Sequence, residues 1–163
     1  MDFFEKLLYN IIKENIVRGI VMKVMVTGHR PQRLKEQEKE ISLWLTDMIK
    51  KLNADICISG MAQGVDQIFA IQAIEENRLL FCYFPYPRHN YHPQEEYIIE
   101  RAAQIKFICS TYSQDCYKIR DYAMVDDCDI VLAVWDGIPH GGTYETIKYA
   151  KEQGKPIYYY PWS

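Results

Sequence analysis

Glycine follows three separate apolar runs of the chain, and each time it stands where a helical pattern begins. The segments are VTGHRP at 26–31, SGMAQGVD at 59–66 and WDGIPHGGTYE at 135–145. Glycine lets backbone N–H groups approach a bound oxyanion, and a following helix adds unpaired amides and the positive end of its dipole. Together the three turns predict a pocket for a phosphate-bearing, nucleotide-like ligand.

Each turn also carries side chains suited to an anion. Arg30 can clamp a phosphate through two parallel hydrogen bonds. Gly60 and Gly64 open a helix whose first turn holds Asp66, and the hydroxyl of Thr143 can cap a helix or bind phosphate. The alternative for each turn is an ordinary packed connection between a strand and a helix. Neither a complete GxGxxG fingerprint nor a Gly-Lys-Ser/Thr P-loop is present, which disfavours NAD binding of the usual Rossmann type.

The acidic residues leave two interpretations open. Glu145, in the first turn of a helix, is the candidate catalytic residue, with Asp136 or Asp66 assisting; a helix dipole also favours a glutamate there without any catalysis. Arg120 either reaches the pocket or forms a surface ion pair with Asp121. No Ser-His-Asp or Cys-His set can be assembled.

Metal and disulfide chemistry are not expected. His89 and His92 have no cysteine or carboxylate cluster around them, and the five cysteines show no CxxC spacing. Free cysteines indicate a reducing compartment, so a cytoplasmic location is predicted. The net charge of −3 argues against a surface dominated by nucleic-acid backbone binding. No stretch is long and apolar enough for a membrane span, and no cofactor is predicted.

The pocket needs an α/β framework, and the hydrophobic pattern supplies one. Apolar β-type runs alternate with helical patterns from residue 23 onward, which predicts a Rossmann-like three-layer α/β/α domain with a mostly parallel sheet of about six strands, buried on both faces. The predicted strands are 24–27, 56–59, 79–84, 106–109, 130–135 and 157–160. The predicted helices are 34–52, 65–76, 93–104, 117–126 and 143–153.

Residues 1–21 are predicted as an N-terminal amphipathic helix or extension, and residues 22–163 as the domain. Phe3, Phe4, Leu7 and Leu8 recur at helical spacing, although charges are scattered throughout the segment. The helix would pack on the domain or on a second copy of it, giving a homo-oligomer. It is alternatively an upstream extension that function does not need.

The motifs of the chain resemble the SLOG superfamily. They are VTGHRP, SGMAQGVD, RDYAMVDDCDIVLAVWDG (120–137) and GGTYETIKYAKEQGKP (141–156), in that order. The similarity is to the YspA-type branch, which is related to the DNA-processing protein DprA and to the cytokinin-activating phosphoribohydrolases. It implies a Rossmann-like domain that binds nucleotides or nucleotide-derived small molecules.

Motif matching assigns the site residue by residue, with Asp136 added from the residue pattern. The chain departs from the motifs of the family at two positions. Asp121 stands where the family often has an asparagine, and Glu145 comes one residue earlier than the glutamate of the phosphoribohydrolases. The predicted ligand-binding residues are Thr27, Gly28, His29, Arg30, Ser59, Gly60, Gly64, Asp66, Arg120, Asp136, Gly141, Gly142 and Thr143.

Three functions follow from this pattern. The first is a sensor, carrier or sequestering module for a nucleotide-type molecule, which needs no catalytic set. The second is a nucleotide N-glycosidase or phosphoribohydrolase in which a carboxylate stabilises an oxocarbenium-like centre at the ribose C1′. The third is single-stranded DNA binding, as in the relatives of DprA, which the acidic charge balance disfavours.

Overall fold

The computed structural model describes residues 2, 3, 6, 7, 9, 10, 13, 14 and 21–163. A six-stranded sheet, with the order β4-β3-β2-β1-β5-β6 and every pair parallel, forms the centre of the fold. The strands are β1 (Lys23–Gly28), β2 (Ile56–Ser59), β3 (Leu79–Phe84), β4 (Gln104–Phe107), β5 (Ile130–Val134) and β6 (Ile157–Tyr159).

Helices cover both faces of the sheet. A short 3-10 helix, Pro31–Arg33, precedes the first of them. Two buried clusters show the layering: α1, α2 and α3 contribute to one, and α4 and α5 to the other. The helices are α1 (Glu38–Lys51), α2 (Val65–Glu75), α3 (Pro93–Arg101), α4 (Cys116–Asp127) and α5 (Gly142–Glu152).

Side-chain periodicity explains this arrangement. Successive residues of β1 point to opposite faces, so Val24 lies in the first cluster and Met25 in the second. Helix α1 buries Ile41, Leu45 and Ile49 at four-residue spacing against the sheet. The α/β fold class predicted from the sequence is therefore confirmed.

The two edge strands differ from the prediction that all strands are buried on both faces. Gln104, Lys106 and Phe107 of β4 are exposed, as are Tyr158 and Tyr159 of β6, since each of these strands has a neighbour on one side only. Strand β4 also begins two residues before the predicted start.

The predicted N-terminal helix falls largely on residues outside the described set. Among the described ones, the ring of Tyr9 lies 6.4 Å from that of Phe81, on the α4–α5 side of the sheet. None of the helices in the described part of the chain combines the length and apolarity needed to cross a bilayer.

The strand order places the site. The chain runs from β1 outward to β4 and then returns to β5 on the other side of β1, so the order reverses between β1 and β5. Ligands of such sheets bind in the crevice beyond the carboxyl ends of the strands at this reversal. The turns at Gly28 and Trp135, which follow β1 and β5, meet there.

Candidate functional site

Two of the glycine turns are held together by an internal network. Asp136, after β5, accepts a 2.5 Å hydrogen bond from Nη2 of Arg33. Its own N–H donates to Nε2 of His29 at 3.1 Å. Burial lowers the pKa of His29, and Asp136 opposes this effect only in part. The imidazole therefore stays neutral and joins the turn after β1 to the turn after β5.

Three amides of the second glycine turn have acceptors within the protein. The N–H of Met61 donates to Oγ of Ser59 at 3.2 Å, that of Ala62 to Oδ2 of Asp66 at 3.3 Å, and that of Val65 to the carbonyl oxygen of His29 at 3.2 Å. The first two donors are thus bonded to side chains next to the loop, and the third joins this turn to the turn after β1. The turn is a packed connection at these positions, and the phosphate cradle expected of it stays a prediction.

Arg120 connects α4 to this turn. Its Nε donates to Oδ1 of Asp121 at 2.7 Å and its Nη1 donates to the carbonyl oxygen of Gly60. Oδ2 of Asp121 accepts in turn from the hydroxyl of Thr146 on α5 at 3.3 Å. Arg120 is 5% exposed, and its Nη2 has no hydrogen bond to any described residue. The guanidinium therefore links α4 to the second glycine turn, and its Nη2 can still donate a hydrogen bond.

A cavity of about 380 Å³, here called the threonine cavity, lies at the reversal of strand order. It brings together most of the predicted ligand-binding residues, and adds residues that the sequence did not indicate. It is lined by Thr27, Gly28, His29, Arg30, Gln32, Arg33, Ala62, Asp66, Tyr117, Arg120, Asp121, Gly142 and Thr143.

Several donors of this cavity have no partner among the residues that the structure describes. Thr27 and Thr143 are each 7% exposed, and neither hydroxyl forms a hydrogen bond. Arg30 is exposed and forms no ion pair. The N–H groups of Gly142 and Thr143, at the start of α5, have no acceptor, because the preceding residue, Gly141, has no side chain to cap the helix. These groups together suit an oxyanion.

A second cavity of about 250 Å³, the tyrosine cavity, adjoins the first. Arg30, Ala62, Tyr117 and Arg120 line both cavities. The other residues that line the tyrosine cavity come mainly from the α2 turn and from the loop after β3. They are Gly60, Met61, Gln63, Gln67, Phe84, Pro85, Tyr86, Arg88, His92 and Glu95.

The sequence did not assign a ligand role to the tyrosines of this cavity. The rings of Tyr86 and Tyr117 are 6.2 Å apart at 89°, and Tyr112 lies 5.6 Å from Tyr86. Tyr86 follows β3, Tyr112 precedes α4 and Tyr117 lies in its first turn, so no local motif marks the three residues as a group. The position of the loop beyond the carboxyl end of β3 was the available signal.

Some predicted site residues do not line either cavity. Ser59 is buried and holds the α2 turn through its hydroxyl, and Gly64 packs against the backbone of His29. Asp136 forms the hydrogen bonds to Arg33 and His29 that are described above. Glu145 is half exposed, and its Oε2 lies 3.8 Å from Nζ of Lys148 on the same helix. The catalytic role of Glu145 stays a prediction that none of its contacts supports.

The carboxyl group inside the threonine cavity is that of Asp66. Burial raises its pKa to about 7, with Asp121 adding to the shift and Arg120 opposing it. In an unfolded chain an aspartate titrates near 4. The folded state therefore holds a proton between about pH 4 and 7 that the unfolded state has lost, so rising pH across this window lowers stability.

We expect Asp66→Asn to weaken this pH dependence. Each unit of pKa shift corresponds to about 1.4 kcal/mol, so the variant should gain at least ~1 kcal/mol over the parent between pH 4 and pH 8. Urea denaturation at both pH values measures the difference. Asp47→Asn, at an exposed position of α1, is the control. Parallel pH profiles for parent and Asp66→Asn would show that Asp66 has no shifted pKa.

Within the described ranges, no group of three or more histidine, cysteine, aspartate or glutamate side chains could hold a metal ion. The family model for DNA recombination-mediator protein A matches residues 23–163. The chain belongs to this family. Comparison with curated proteins finds no significant match.

Solved structures of this family share the fold. DNA processing protein A (DprA) of Streptococcus pneumoniae superposes with a TM-score of 0.67 at 17% identity, over 88% of this chain and 51% of that one. The Helicobacter pylori protein, whose structure concerns its single-stranded DNA binding mode, gives 0.66 at 20% identity over 86% and 65%. The chain thus spans about half to two thirds of these relatives.

Small-molecule carriers have the same fold. The molybdenum cofactor carrier protein of Chlamydomonas reinhardtii gives a TM-score of 0.61 at 13% identity, over 85% of this chain and 75% of that one. The molybdenum cofactor binding protein of Rippkaea orientalis gives 0.63 at 17% identity, over 85% and 76%. The SLOG-type Rossmann-like fold predicted from the motifs is confirmed, and the YspA-type branch stays a prediction.

Proposed function

We propose that the chain binds a nucleotide or a nucleotide-derived small molecule at the carboxyl edge of the sheet, with a phosphate in the threonine cavity. One observation carries the proposal. Arg30, the hydroxyls of Thr27 and Thr143 and the first amides of α5 all surround this cavity, and none has a partner among the described residues. Hydrogen-bond donors that face a cavity without a partner in the protein can bind a ligand oxyanion there.

Within the threonine cavity, the charges favour an anion only on the side of Arg30. Arg120 is already shared with Asp121, whereas Arg30 is not paired with any described carboxylate. A phosphate is therefore best placed between Arg30 and the N-terminal end of α5, away from Asp66 and Asp121. Charge-assisted hydrogen bonds from arginine and a helix N-terminus are the usual means of holding phosphate.

The tyrosine cavity would take the organic part of the ligand. Tyr117 and Arg30 line both cavities, so a group attached to a phosphate in one can extend directly into the other. Tyr86 and Tyr117 present rings against which a planar base can pack. The size and polarity of the combined site fit a small molecule.

Single-stranded DNA is a second candidate. The family includes proteins that bind it, and Tyr117, which is 39% exposed, lines both cavities together with Arg30. Tyr112 is 64% exposed, and its ring lies 5.6 Å from that of Tyr86. Exposed aromatic rings beside cationic side chains can stack successive bases. The net charge of −3 gives this candidate little general attraction to a phosphate backbone.

We expect nucleotides to raise the melting temperature, and Arg30→Gln to weaken their binding about tenfold or more, because one charge-assisted contact is lost. Thermal shifts with mono-, di- and cyclic nucleotides measure this, with a single-stranded oligodeoxynucleotide in parallel. Arg101→Gln on α3 is the matched control. No shift with any nucleotide, or unchanged affinity in Arg30→Gln, would contradict the proposal; binding of the oligodeoxynucleotide alone would support the second candidate.

A further inference from the structure

Asp66 is the one carboxyl group of the threonine cavity that no side chain neutralises through a hydrogen bond. It is 8% exposed and belongs to the first turn of α2. Its Oδ2 accepts a 3.3 Å bond from the N–H of Ala62. Its Oδ1 has no donor among the described residues. Asp121, the neighbouring carboxyl group, is bonded to both Arg120 and Thr146.

A carboxyl oxygen that faces a cavity and has no donor in the protein can accept a hydrogen bond from a ligand. Arg120 gives its Nε and Nη1 to other acceptors, and the hydroxyls of Thr27 and Thr143 are not bonded to Asp66. The protein thus leaves one acceptor inside its own binding cavity. A ligand group that donates a hydrogen bond would satisfy it.

The charge state of Asp66 limits which ligand group this can be. Its pKa of about 7 means that ionised and protonated forms are both present near neutral pH. A phosphate oxygen is compatible with the protonated form alone, since two anions would otherwise face each other. A hydroxyl can bond either form, as a donor to the carboxylate or as an acceptor from the carboxylic acid.

We propose that Asp66 binds a hydroxyl of the ligand's sugar, so that the site selects ribonucleotides over their deoxy forms. This rests on the proposed function and adds the sugar to it. Carboxyl groups near the carboxyl ends of strands bind ribose hydroxyls in many nucleotide sites of this architecture. Asp66 lies in the first turn of α2, beyond the carboxyl end of β2, and lines the same cavity as Thr27 of β1.

The test compares each binding ribonucleotide with its 2′-deoxy and 3′-deoxy forms by titration calorimetry. The parent should prefer the ribonucleotide about tenfold or more over at least one of the deoxy forms. Asp66→Ala should reduce this preference to within about twofold. Asp66→Asn, whose amide keeps an oxygen for the N–H of Ala62 and can still bond a hydroxyl, should give an intermediate value.

The outcomes separate this inference from the function it rests on. Equal affinity of the parent for ribose and both deoxyribose forms would overturn the inference and leave nucleotide binding intact. No binding of any nucleotide would overturn both. Asp47→Asn controls for a change of aspartate to asparagine elsewhere and should keep the full preference.

Discussion

Gly142→Asp is expected to abolish nucleotide-induced thermal stabilisation while the unliganded protein stays at least as stable as the parent. A Cβ built at Gly142 meets no atom within 4 Å, and this glycine does not have a positive φ, so the side chain enters open space. A carboxylate at a helix N-terminus stabilises the helix by about 0.3–1 kcal/mol. The same carboxylate would stand where the phosphate is proposed to bind.

Repulsion then sets the size of the effect on binding. Two unit charges about 4 Å apart interact by about 4 kcal/mol at an effective dielectric constant of 20, so a loss of 100-fold or more in affinity is expected. Gly142→Ala is the control, because it adds a Cβ without charge. It should keep affinity within about threefold and add up to ~1 kcal/mol of stability through helix propensity.

The two readouts together exclude a trivial explanation. A variant that lost binding because it misfolded would also lose stability, whereas Gly142→Asp should lose one and keep the other. Parental affinity in Gly142→Asp, measured by titration calorimetry, would place the phosphate away from the start of α5. The tyrosine cavity, which Gly142 does not line, would then be the place to look for it.

The sequence predicted where the glycine turns are, but not which amides are free. In the α2 turn, Met61 and Ala62 donate to side chains of the same loop. In the α5 turn, Gly142 and Thr143 find no acceptor among the described residues. Both segments are glycine-rich and precede a helix, and the difference arises from a serine and an aspartate that fold back onto one of them. Only the folded geometry reveals it.

For side chains too, the sequence indicated the location but not the bonding partners. The prediction that Arg30 faces a pocket followed from its position after a buried strand, and the structure places it in the wall of both cavities. His29 and Asp136 were predicted as ligand contacts; His29 lines the threonine cavity, and the two residues also bond each other just beyond the paired ends of β1 and β5. A pair from distant parts of the chain leaves no local signal, so neither partner reveals the other in sequence.

The strands were predicted well where apolar residues run without interruption. Strands β2 and β3 have the bounds that the pattern indicated, since all or nearly all of their residues are buried. At β4 the prediction began at Lys106, whereas pairing with β3 begins at Gln104 opposite Phe81. A polar residue can enter an edge strand because one side of it faces solvent, and hydrophobicity alone does not mark its start.

Gly64→Ala is expected to cause the largest loss of stability of the changes considered, about 3–5 kcal/mol. Gly64 has a φ of +96° and a ψ of −131°, a conformation nearly restricted to glycine that costs other residues on the order of 1–3 kcal/mol. Its Cβ would also lie 2.5 Å from the carbonyl oxygen of His29 and 2.9 Å from Cα of Arg30. These are backbone atoms, so relief requires α2 to move away from the turn after β1.

Gly154→Ala separates the two causes. Gly154 has a φ of +70°, but a Cβ there meets nothing within 4 Å. Its loss in urea denaturation measures the cost of a positive φ without a close contact, and the excess loss in Gly64→Ala includes the close approach to His29 and Arg30. If both variants lose the same amount, the contact between the α2 turn and the β1 turn is not tight, and Gly64 is replaceable.

The same substitution connects packing to the site. Moving α2 away from the β1 turn would pull Arg30 out of its position between the two cavities and break the 3.2 Å bond from the N–H of Val65 to the carbonyl oxygen of His29. Gly64→Ala should therefore weaken nucleotide binding even at temperatures where the variant is fully folded, although Gly64 itself lines neither cavity. Retained affinity in folded Gly64→Ala would contradict the expected displacement of Arg30.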